Sequence, residues 1–253
     1  MKNFSEPILL QQVMRSACLF FAAWIVMSVT GCASIGQTKL AAPEKEAKTE
    51  IGWWYASFKM NWPHDEEPAW HNDLIIAHRI IAPVLERYKK DIALWRFHRR
   101  AVQDEAGHRF SFIFYSTPGT ARKVYESIEA TALLQEMRNG GIIIKATYDD
   151  TGTITKPNIE ATSDGHWSQP VQKSWPYFIM GVCQMWLDLI DQFAEDGRQK
   201  PSSLDEVEAF YLEIDKNVQE TWEKEGGHAY FHHLNAIFGY NPVLIYQKYL
   251  LRF

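Results

Sequence analysis

The sequence is poor in cysteine, lacks an apolar stretch long enough to span a bilayer as a helix, and carries no excess of positive charge. Three cysteines in 253 residues are too few for the disulfide framework of a small secreted domain. The 31 Asp and Glu residues outnumber the 26 Lys and Arg residues, so the formal net charge is -5 at pH 7. The phosphates of nucleic acid repel an acidic chain. We therefore expect no nucleic-acid partner.

Motifs that hold a nucleotide or activate a nucleophile are also missing from the sequence. It contains neither a glycine-rich phosphate loop that ends in lysine nor a Gly-x-Ser-x-Gly element. We expect no cofactor and assign no catalytic residue. The composition, 46% apolar and 23% charged, is that of an ordinary globular chain of one or two domains.

An uncharged apolar run occupies residues 17–29, shortly after the basic Arg15. The run is about 13 residues long, whereas a membrane-spanning helix needs about 20. A basic residue followed by a short apolar run is typical of a secretory signal peptide. An ordinary secretory signal or a buried apolar helix are the other interpretations of this run.

The run ends at Val29-Thr30-Gly31-Cys32, which resembles the lipobox of bacterial lipoproteins. The resemblance implies that residues 1–31 are a signal peptide and that Cys32 receives a diacylglycerol on its sulfur and a fatty acid such as palmitate on its amine. Several acyl chains hold a protein firmly in a membrane. Ala33 and Ser34 lack the Asp that retains such proteins in the inner membrane. The expected location is the cell envelope, at the outer membrane and facing the periplasm.

Residues 33–50 are small or charged and show no apolar periodicity, which predicts a flexible tether. With the Cys32 lipidation that the lipobox resemblance implies, residues 32–50 would form the lipidated cysteine and its tether. A single globular domain is expected over residues 51–253. Its α+β part would cover residues 51–157 and its helical part residues 172–253. Cys183 lies in an apolar segment, so we expect a buried and unreactive thiol.

Hydrophobic periodicity predicts the fold class of residues 52–148. Alternation of apolar and polar residues predicts strands over residues 52–62, 93–102, 108–116 and 142–148. Helical spacing predicts helices over residues 70–89, with a kink or restart at Pro83, and over 117–139. The order β-α-β-β-α-β is that of an α+β, ferredoxin-like split βαβ sandwich, in which two helices cover one face of a four-stranded antiparallel sheet.

The remaining residues predict a helical C-terminal cap on this sandwich. The segment 174–195 is apolar on nearly every side, which predicts a central, buried helix. Ser203 and Glu206 have the spacing of a capping box, so a helix should begin there and continue to about Glu225. Shorter helices are predicted over residues 228–238 and 242–251.

Residues 52–190 resemble the C-terminal elimination or cyclisation domain of lantibiotic and thiopeptide dehydratases. That family has an aromatic first strand, a helix with a Pro-Leu segment, a strand with Trp and Arg, and a His followed by Arg and apolar residues. The matching segments are Trp53 to Phe58, residues 81–85, Trp95 to Arg100, and His108-Arg109-Phe110, after which Ser111 replaces the family's second Arg. The resemblance implies a shared fold. The eliminating members of the family use glutamylated peptides made from cytosolic aminoacyl-tRNA, which a periplasm does not supply.

Strand parity predicts that one face of the sheet is basic and aromatic. The face would carry Trp53, Tyr55, Lys59, Arg96, His98, Arg100, Arg109, Tyr115 and Lys145. Guanidinium groups bind carboxylates and phosphates, and aromatic rings stack on flat or apolar ligands. The candidate ligand-binding residues are therefore Trp53, Tyr55, Arg96, His98, Arg100, Arg109 and Lys145. The alternative is that the C-terminal helices cover this face and that their acidic residues pair with the bases.

His228 and His232 are four residues apart, a spacing at which two imidazoles on one helix can bind one metal ion. They are the candidate metal ligands, and packing or capping is their alternative role. His71 and His78 are seven residues apart and can likewise share a helix face.

Taken together, these features favour a lipid-anchored envelope protein that binds a protein or peptide partner without catalysis. The alternative is an envelope enzyme. It would be either a metal-dependent hydrolase that uses His and Asp, or a peptide-modifying relative of the dehydratase domain.

The lipobox interpretation predicts the behaviour of a Cys32→Ser protein. Because the sulfur accepts the diacylglycerol, this variant should incorporate no labelled palmitate and should not be cleaved before residue 32. The Cys18→Ser variant should be labelled and cleaved like the parent. Equal labelling of the Cys32→Ser variant, or a parent protein found free in the cytosol, would contradict the interpretation.

Overall fold

The computed structural model describes residues 50–195 and 201–243. The predicted signal peptide, Cys32 and nearly all of the tether lie outside the described residues, as does most of the helix predicted over 242–251. Within the described ranges, no helix is both long enough and apolar enough to cross a membrane.

Four strands form one antiparallel sheet. They are β1 (Gly52–Met60), β2 (Ile92–Val102), β3 (Gly107–Ser116) and β4 (Ile143–Tyr148), and they lie in the order β2-β3-β1-β4. Each neighbouring pair is antiparallel. This is the strand order of the ferredoxin-like sandwich, in which each βαβ unit is split by a strand of the other. The predicted α+β class is confirmed.

The connection from β1 to β2 is one helical run with a π-helical middle. It consists of α1 (His71–Ile75), a π-helical segment (Ile76–Ile81) and α2 (Ala82–Tyr88). Pro83 lies in the first turn of α2, directly after the π-helical segment. The helix neither ends nor restarts at Pro83, but its hydrogen-bond pattern changes there from π to α.

The connection from β3 to β4 is two helices rather than the single predicted one. They are α3 (Pro118–Glu129) and α4 (Ala132–Asn139). Thr117 caps α3, since its side chain accepts a hydrogen bond of 3.1 Å from the backbone N–H of Thr120. The break falls at Ala130 and at Thr131, whose backbone is extended. The Thr131 hydroxyl does not cap α4 but donates to the Ser127 carbonyl at 3.2 Å, and a β-branched residue is less favourable than most in a helix interior.

The core lies between one face of the sheet and these helices. Alternate residues of β1, namely Trp54, Ala56 and Phe58, are at most 1% exposed, and so are Phe110 and Phe112 of β3. Their burial fixes which residues face the other way, because successive side chains of a strand alternate between the two faces.

Two long helices follow the sheet, α5 (Gln169–Glu195) and α6 (Leu204–Gly226). The backbone N–H of Phe97 donates to Cys183 Sγ at 3.2 Å, so α5 lies beside the edge strand β2. Burial raises the pKa of the Cys183 thiol. The expectation of a buried, unreactive Cys183 is therefore supported.

The prediction that α5 is central and buried is wrong. Its buried residues are Pro176, Cys183, Leu187 and Ile190, whereas Tyr177 and Phe178 are 55% and 45% exposed. The helix packs along an edge of the sandwich with one side, and its apolar outer side faces solvent.

The capping box of α6 is present in part. Ser203 Oγ accepts a hydrogen bond of 3.3 Å from the Glu206 N–H. The Glu206 carboxylate binds the backbone N–H of Ser202 at 2.8 Å rather than that of Ser203. After α6 the chain continues as a π-helical segment (Gly227–His232) and a short helix α7 (His233–Ile237).

A buried carboxylate ties α1 to the sheet. Asp73 is 0% exposed, and it accepts hydrogen bonds from Arg99 Nε at 2.8 Å and from His108 Nε2 at 3.0 Å. Arg99 belongs to β2 and His108 to β3. The guanidinium of Arg99 also lies over the rings of Trp70 and Trp186, at 5.0 and 4.8 Å from their centroids.

Replacing the Asp73 carboxylate should therefore destabilise the whole domain. The Asp73→Asn variant keeps the side-chain volume but leaves the Arg99 charge without its anion. We expect the free energy of unfolding to fall by about 3–5 kcal/mol, measured by denaturant unfolding. Asp65 is fully exposed, so the control variant Asp65→Asn should unfold like the parent. Equal stability of the two variants would show that the Asp73 contacts are not needed.

Candidate functional site

The candidate site is the face of the sheet that points away from the core, here called the basic face. The register of the four strands places all the predicted residues on this face. They are Trp53, Tyr55, Lys59, Arg96, His98, Arg100, Arg109, Tyr115 and Lys145. No bulge interrupts the strands between these positions, because the register shifts lie at Lys59/Met60 and Ile92/Leu94.

Four basic residues form a row across the four strands. Lys145 of β4 is opposite Lys59 of β1, Lys59 is opposite Arg109 of β3, and Arg109 is opposite Arg100 of β2. Directly opposed residues have Cβ atoms about 4.5–5.5 Å apart, and like charges at that distance destabilise a sheet. A bound anion would relieve this repulsion.

The chain supplies little negative charge to this row. Arg100 pairs with Asp104 in the turn of its own hairpin, and this contact holds the pKa of Asp104 below its usual range. Lys59 Nζ donates to the backbone carbonyl of Glu105 at 2.8 Å. Among the described residues, no carboxylate forms a salt bridge with Lys59, Arg109 or Lys145.

The alternative in which acidic residues of the C-terminal helices neutralise the basic face is therefore wrong for the described part of the chain. The Nε of Arg109 is buried and has no hydrogen-bond partner there. Most buried residues of α5 and α6 belong to the core on the other side of the sheet. On the basic face α5 contributes apolar cover, through Met180 against Trp53 and Tyr115, and no acidic partner.

A second row, beside the bases, carries hydroxyl groups and a histidine. Thr147, Ser57, Ser111 and His98 are opposite one another in register. The oxygens of Ser57 and Ser111 are 2.9 Å apart. One hydroxyl proton is used in that hydrogen bond, and the other is left to donate to a further acceptor.

His98 lies in the same second row and is exposed. Its partial burial, followed by the charges of Arg96 and Arg100, lowers its pKa from the ordinary value of 6.5. His98 is therefore neutral at pH 7 and gains a proton only in more acidic solution, or when an anion binds beside it.

The aromatic end of the basic face is covered by residues 157–162, which include a 3-10 helix at Ile159–Thr162. Trp53 Nε1 donates to the Ile159 carbonyl at 2.9 Å, and Tyr115 donates from its hydroxyl to the Pro157 carbonyl at 2.5 Å. Trp53 and Tyr115 are only 1% and 5% exposed. These two rings hold the covering segment and do not contact solvent.

Two further predicted residues contact this covering segment or Lys156, the residue before it. Arg96 donates to the carbonyl of Thr162 at 3.3 Å. The ring of Tyr55 is half-buried and carries the Lys156 ammonium 4.0 Å above its centroid. The open part of the basic face therefore consists of Lys59, His98, Arg100, Arg109 and Lys145. In the hydroxyl row beside them Thr147 is exposed, whereas Ser57 and Ser111 are buried.

The candidate metal ligands lie in the π-helical segment after α6. The rings of His228 and His232 stack, with centroids 5.2 Å apart and planes 13° from parallel. His233 contacts both rings edge-on. The described residues contain no group of three or more His, Cys, Asp or Glu placed to hold a metal ion. A metal bound by His228 and His232 stays a prediction.

His78, to which the sequence assigned no role, joins three helical segments. His78 Nε2 donates to Asp191 Oδ1 of α5 at 3.1 Å, and His78 Nδ1 accepts from the Tyr211 hydroxyl of α6 at 2.5 Å. Burial raises the pKa of Tyr211 to about 12. Both ring nitrogens of His78 are occupied, so the group acts as a structural tie rather than as a free base.

A cavity of about 520 Å³ opens beside His78 and Asp191, and Trp95 and Leu187 form part of its apolar lining. The seven-residue spacing of His71 and His78 is the sequence feature that pointed to this contact between helices. His71 lies 4.0 Å from Glu208 of α6, and burial lowers its pKa.

Comparison with known proteins assigns no function to this site. No protein-family model matches the chain, and no curated protein matches it. A solved structure that does match is the crystal structure of TsrL, at 14% identity and a TM-score of 0.36, over 56% of this chain and 35% of that one. The chain thus spans about a third of the length of that protein. A TM-score this low supports no conclusion about function.

Proposed function

We propose that the protein is a lipid-anchored envelope protein that binds an anionic segment of a protein or peptide partner on the open part of its basic face. The observation that carries the proposal is the row Lys145, Lys59, Arg109 and Arg100. Four adjacent bases cost stability unless an anion binds them. A protein that keeps such a row uses it for recognition, because function is the common reason for a locally unfavourable arrangement.

The spacing of the row favours an extended peptide over a single small anion. Four strands are separated by three spacings of about 4.8 Å, so the row is about 14 Å long. In an extended chain, side chains at positions i, i+2 and i+4 point to one side and also span about 14 Å. Three acidic side chains with this spacing match the row.

The envelope location rests on the sequence alone. It is supported by the apolar run over residues 17–29 and by Val29-Thr30-Gly31-Cys32. In this proposal the acyl chains on Cys32 anchor the protein in the outer membrane, and the folded domain faces the periplasm. The partner is then an envelope protein or peptide with an acidic extended segment.

Binding should depend on the row of bases and on the spacing of the acids. The probe is an acetylated peptide, Gly-Glu-Thr-Glu-Thr-Glu-Gly, measured by calorimetry at low salt. The double variant Arg109→Gln plus Lys145→Gln should bind about tenfold more weakly, which corresponds to the loss of about 1.4 kcal/mol. Its thermal melting temperature should be equal to or above that of the parent, because a repulsion is removed.

The matched control is Arg87→Gln plus Arg122→Gln, which removes two exposed bases from the helical layer. It should bind the probe like the parent. The peptide with Gln in place of each Glu should not bind. The proposal fails if the parent binds the Glu peptide no better than the double variant does, and no better than it binds the Gln peptide. It also fails if the double variant unfolds, because its bases would then be structural.

The affinity for the same peptide should rise as the pH is lowered from 7 to 5. Partial burial and the charges of Arg96 and Arg100 lower the pKa of His98 from its ordinary value. A carboxylate bound beside the ring raises that pKa again, so with the peptide bound His98 gains a proton and a positive charge as the pH is lowered. Glutamate carboxylates have a pKa of about 4.3 and stay ionised. The His98→Gln variant should lose this pH dependence and keep its affinity at pH 7. A rise of equal size in the variant would assign the effect to another group.

A further inference from the structure

The end of the described chain is an apolar surface that the other described residues leave almost uncovered. The C-terminal arm, defined as Trp222–Val243, comprises the last turn of α6, the π-helical segment, α7 and the residues after it. Gly226 is its one buried residue. Its exposed large apolar residues are Ile237 (82%), Val243 (80%), Phe238 (64%), Tyr240 (59%), Phe231 (56%), Trp222 (46%) and Leu234 (37%).

The aromatic side chains of the arm contact one another rather than the core. The ring of Trp222 lies 5.4 Å from that of Phe231 and 6.1 Å from that of Tyr230. The Trp222 ring also covers Gly226, where an added Cβ would lie only 3.0 Å from it. None of the large apolar residues exposed on the arm belongs to the core. An exposed apolar patch of this extent marks an interaction surface.

The charge of this region is unlike that of the rest of the chain. From Gly226 to the last residue, Phe253, the sequence contains no Asp and no Glu, although the whole chain has 31 of them. It contains three histidines, at 228, 232 and 233, and the bases Lys248 and Arg252, which lie outside the described residues. After the last turn of α6, which carries Glu223 and Glu225, the segment combines apolar and aromatic residues with bases and contains no carboxylate, and such a composition complements an anionic lipid surface.

We propose that the C-terminal arm lies on the surface of a lipid bilayer and inserts Ile237 and Phe238 among the lipids. Trp and Tyr side chains favour the boundary between headgroups and acyl chains, because one part of the ring is apolar and another forms hydrogen bonds. Trp222, Tyr230 and Tyr240 provide such side chains on the arm. The contact is additional to any acyl anchor and does not use the basic face.

Dimerisation through the arm explains the composition of the arm less well than membrane binding does. The rim of a protein interface is polar and solvent-accessible, so an interface gives no reason for the lack of Asp and Glu after Gly226. A negatively charged bilayer does give that reason, because it repels carboxylates near its surface.

The experiment measures sedimentation of the protein with vesicles. The chain from residue 32 to Phe253 with Cys32→Ser lacks both the acyl chains and the apolar run, and it contains the compact unit Lys48–Phe253 with the whole described core. The vesicles are phosphatidylcholine alone, or phosphatidylcholine and phosphatidylglycerol at a ratio of about three to one. We expect the parent to bind the mixed vesicles more tightly than the neutral ones.

The test variant is Ile237→Ser plus Phe238→Ser, and the matched control is Val102→Ser plus Ile144→Ser, which removes two exposed apolar residues from the strands. The test variant should bind both kinds of vesicle at least tenfold more weakly than the parent, and the control should bind like the parent. All four positions are exposed, so circular dichroism should show equal melting temperatures.

Three results would overturn the inference. The first is a parent that does not sediment with either kind of vesicle. The second is vesicle binding that is lost in Arg109→Gln plus Lys145→Gln but kept in the Ile237 and Phe238 variant, which would assign the contact to the basic face. The third is a lipid-free dimer, seen by analytical ultracentrifugation, that the Ile237 and Phe238 variant dissociates, which would make a second copy the occupant. Each result leaves the peptide-binding proposal to be judged by its own probe.

Discussion

The Asp73 carboxylate determines where the first helix lies, and the rest of the structure follows from that position. A buried charge must be paired, so α1 can pack only where Arg99 of β2 and His108 of β3 both bind Asp73. This contact fixes the helical layer on one face of the sheet. The opposite face is then left to Lys59, Arg109 and their neighbours. Adjacent arginines of β2 show the division, because Arg99 serves the core side and Arg100 the open side.

The two faces of the sheet contribute to stability in opposite ways. The core face is filled by rings such as Phe110 and Phe112, and it gains stability from burial. The outer face carries a row of bases whose mutual repulsion opposes folding. The covering segment at Ile159–Thr162 hides the aromatic half of that face and leaves the basic half open. The fold thus offers charge, rather than apolar area, to whatever binds there.

Much of the sandwich could be predicted from the sequence because its signals are local. Alternation in β1 and β3 placed Lys59 and Arg109 on the correct face, and strand order follows from the β-α-β-β-α-β sequence of elements. Local sequence patterns did not predict the contacts between segments that are distant in the sequence. Nothing near Trp53 shows that Ile159 covers it, and nothing near His78 shows that Asp191 and Tyr211 bind it. The apolar character of α5 indicated burial, but that helix lies at an edge, where part of the apolar surface stays exposed.

The π-helical segment Ile76–Ile81 also bears on how this chain compares with its relatives. A π turn holds one more residue than the α-helical turn it replaces, and a single inserted residue is enough to create it. His78 lies in that turn and contacts Asp191 and Tyr211. A homologue with a one-residue gap at this place would keep an unbroken α-helix, but its imidazole would be rotated by about 100°. Such a gap in an alignment would therefore mark the loss of the three-helix junction, even where the histidine itself is conserved.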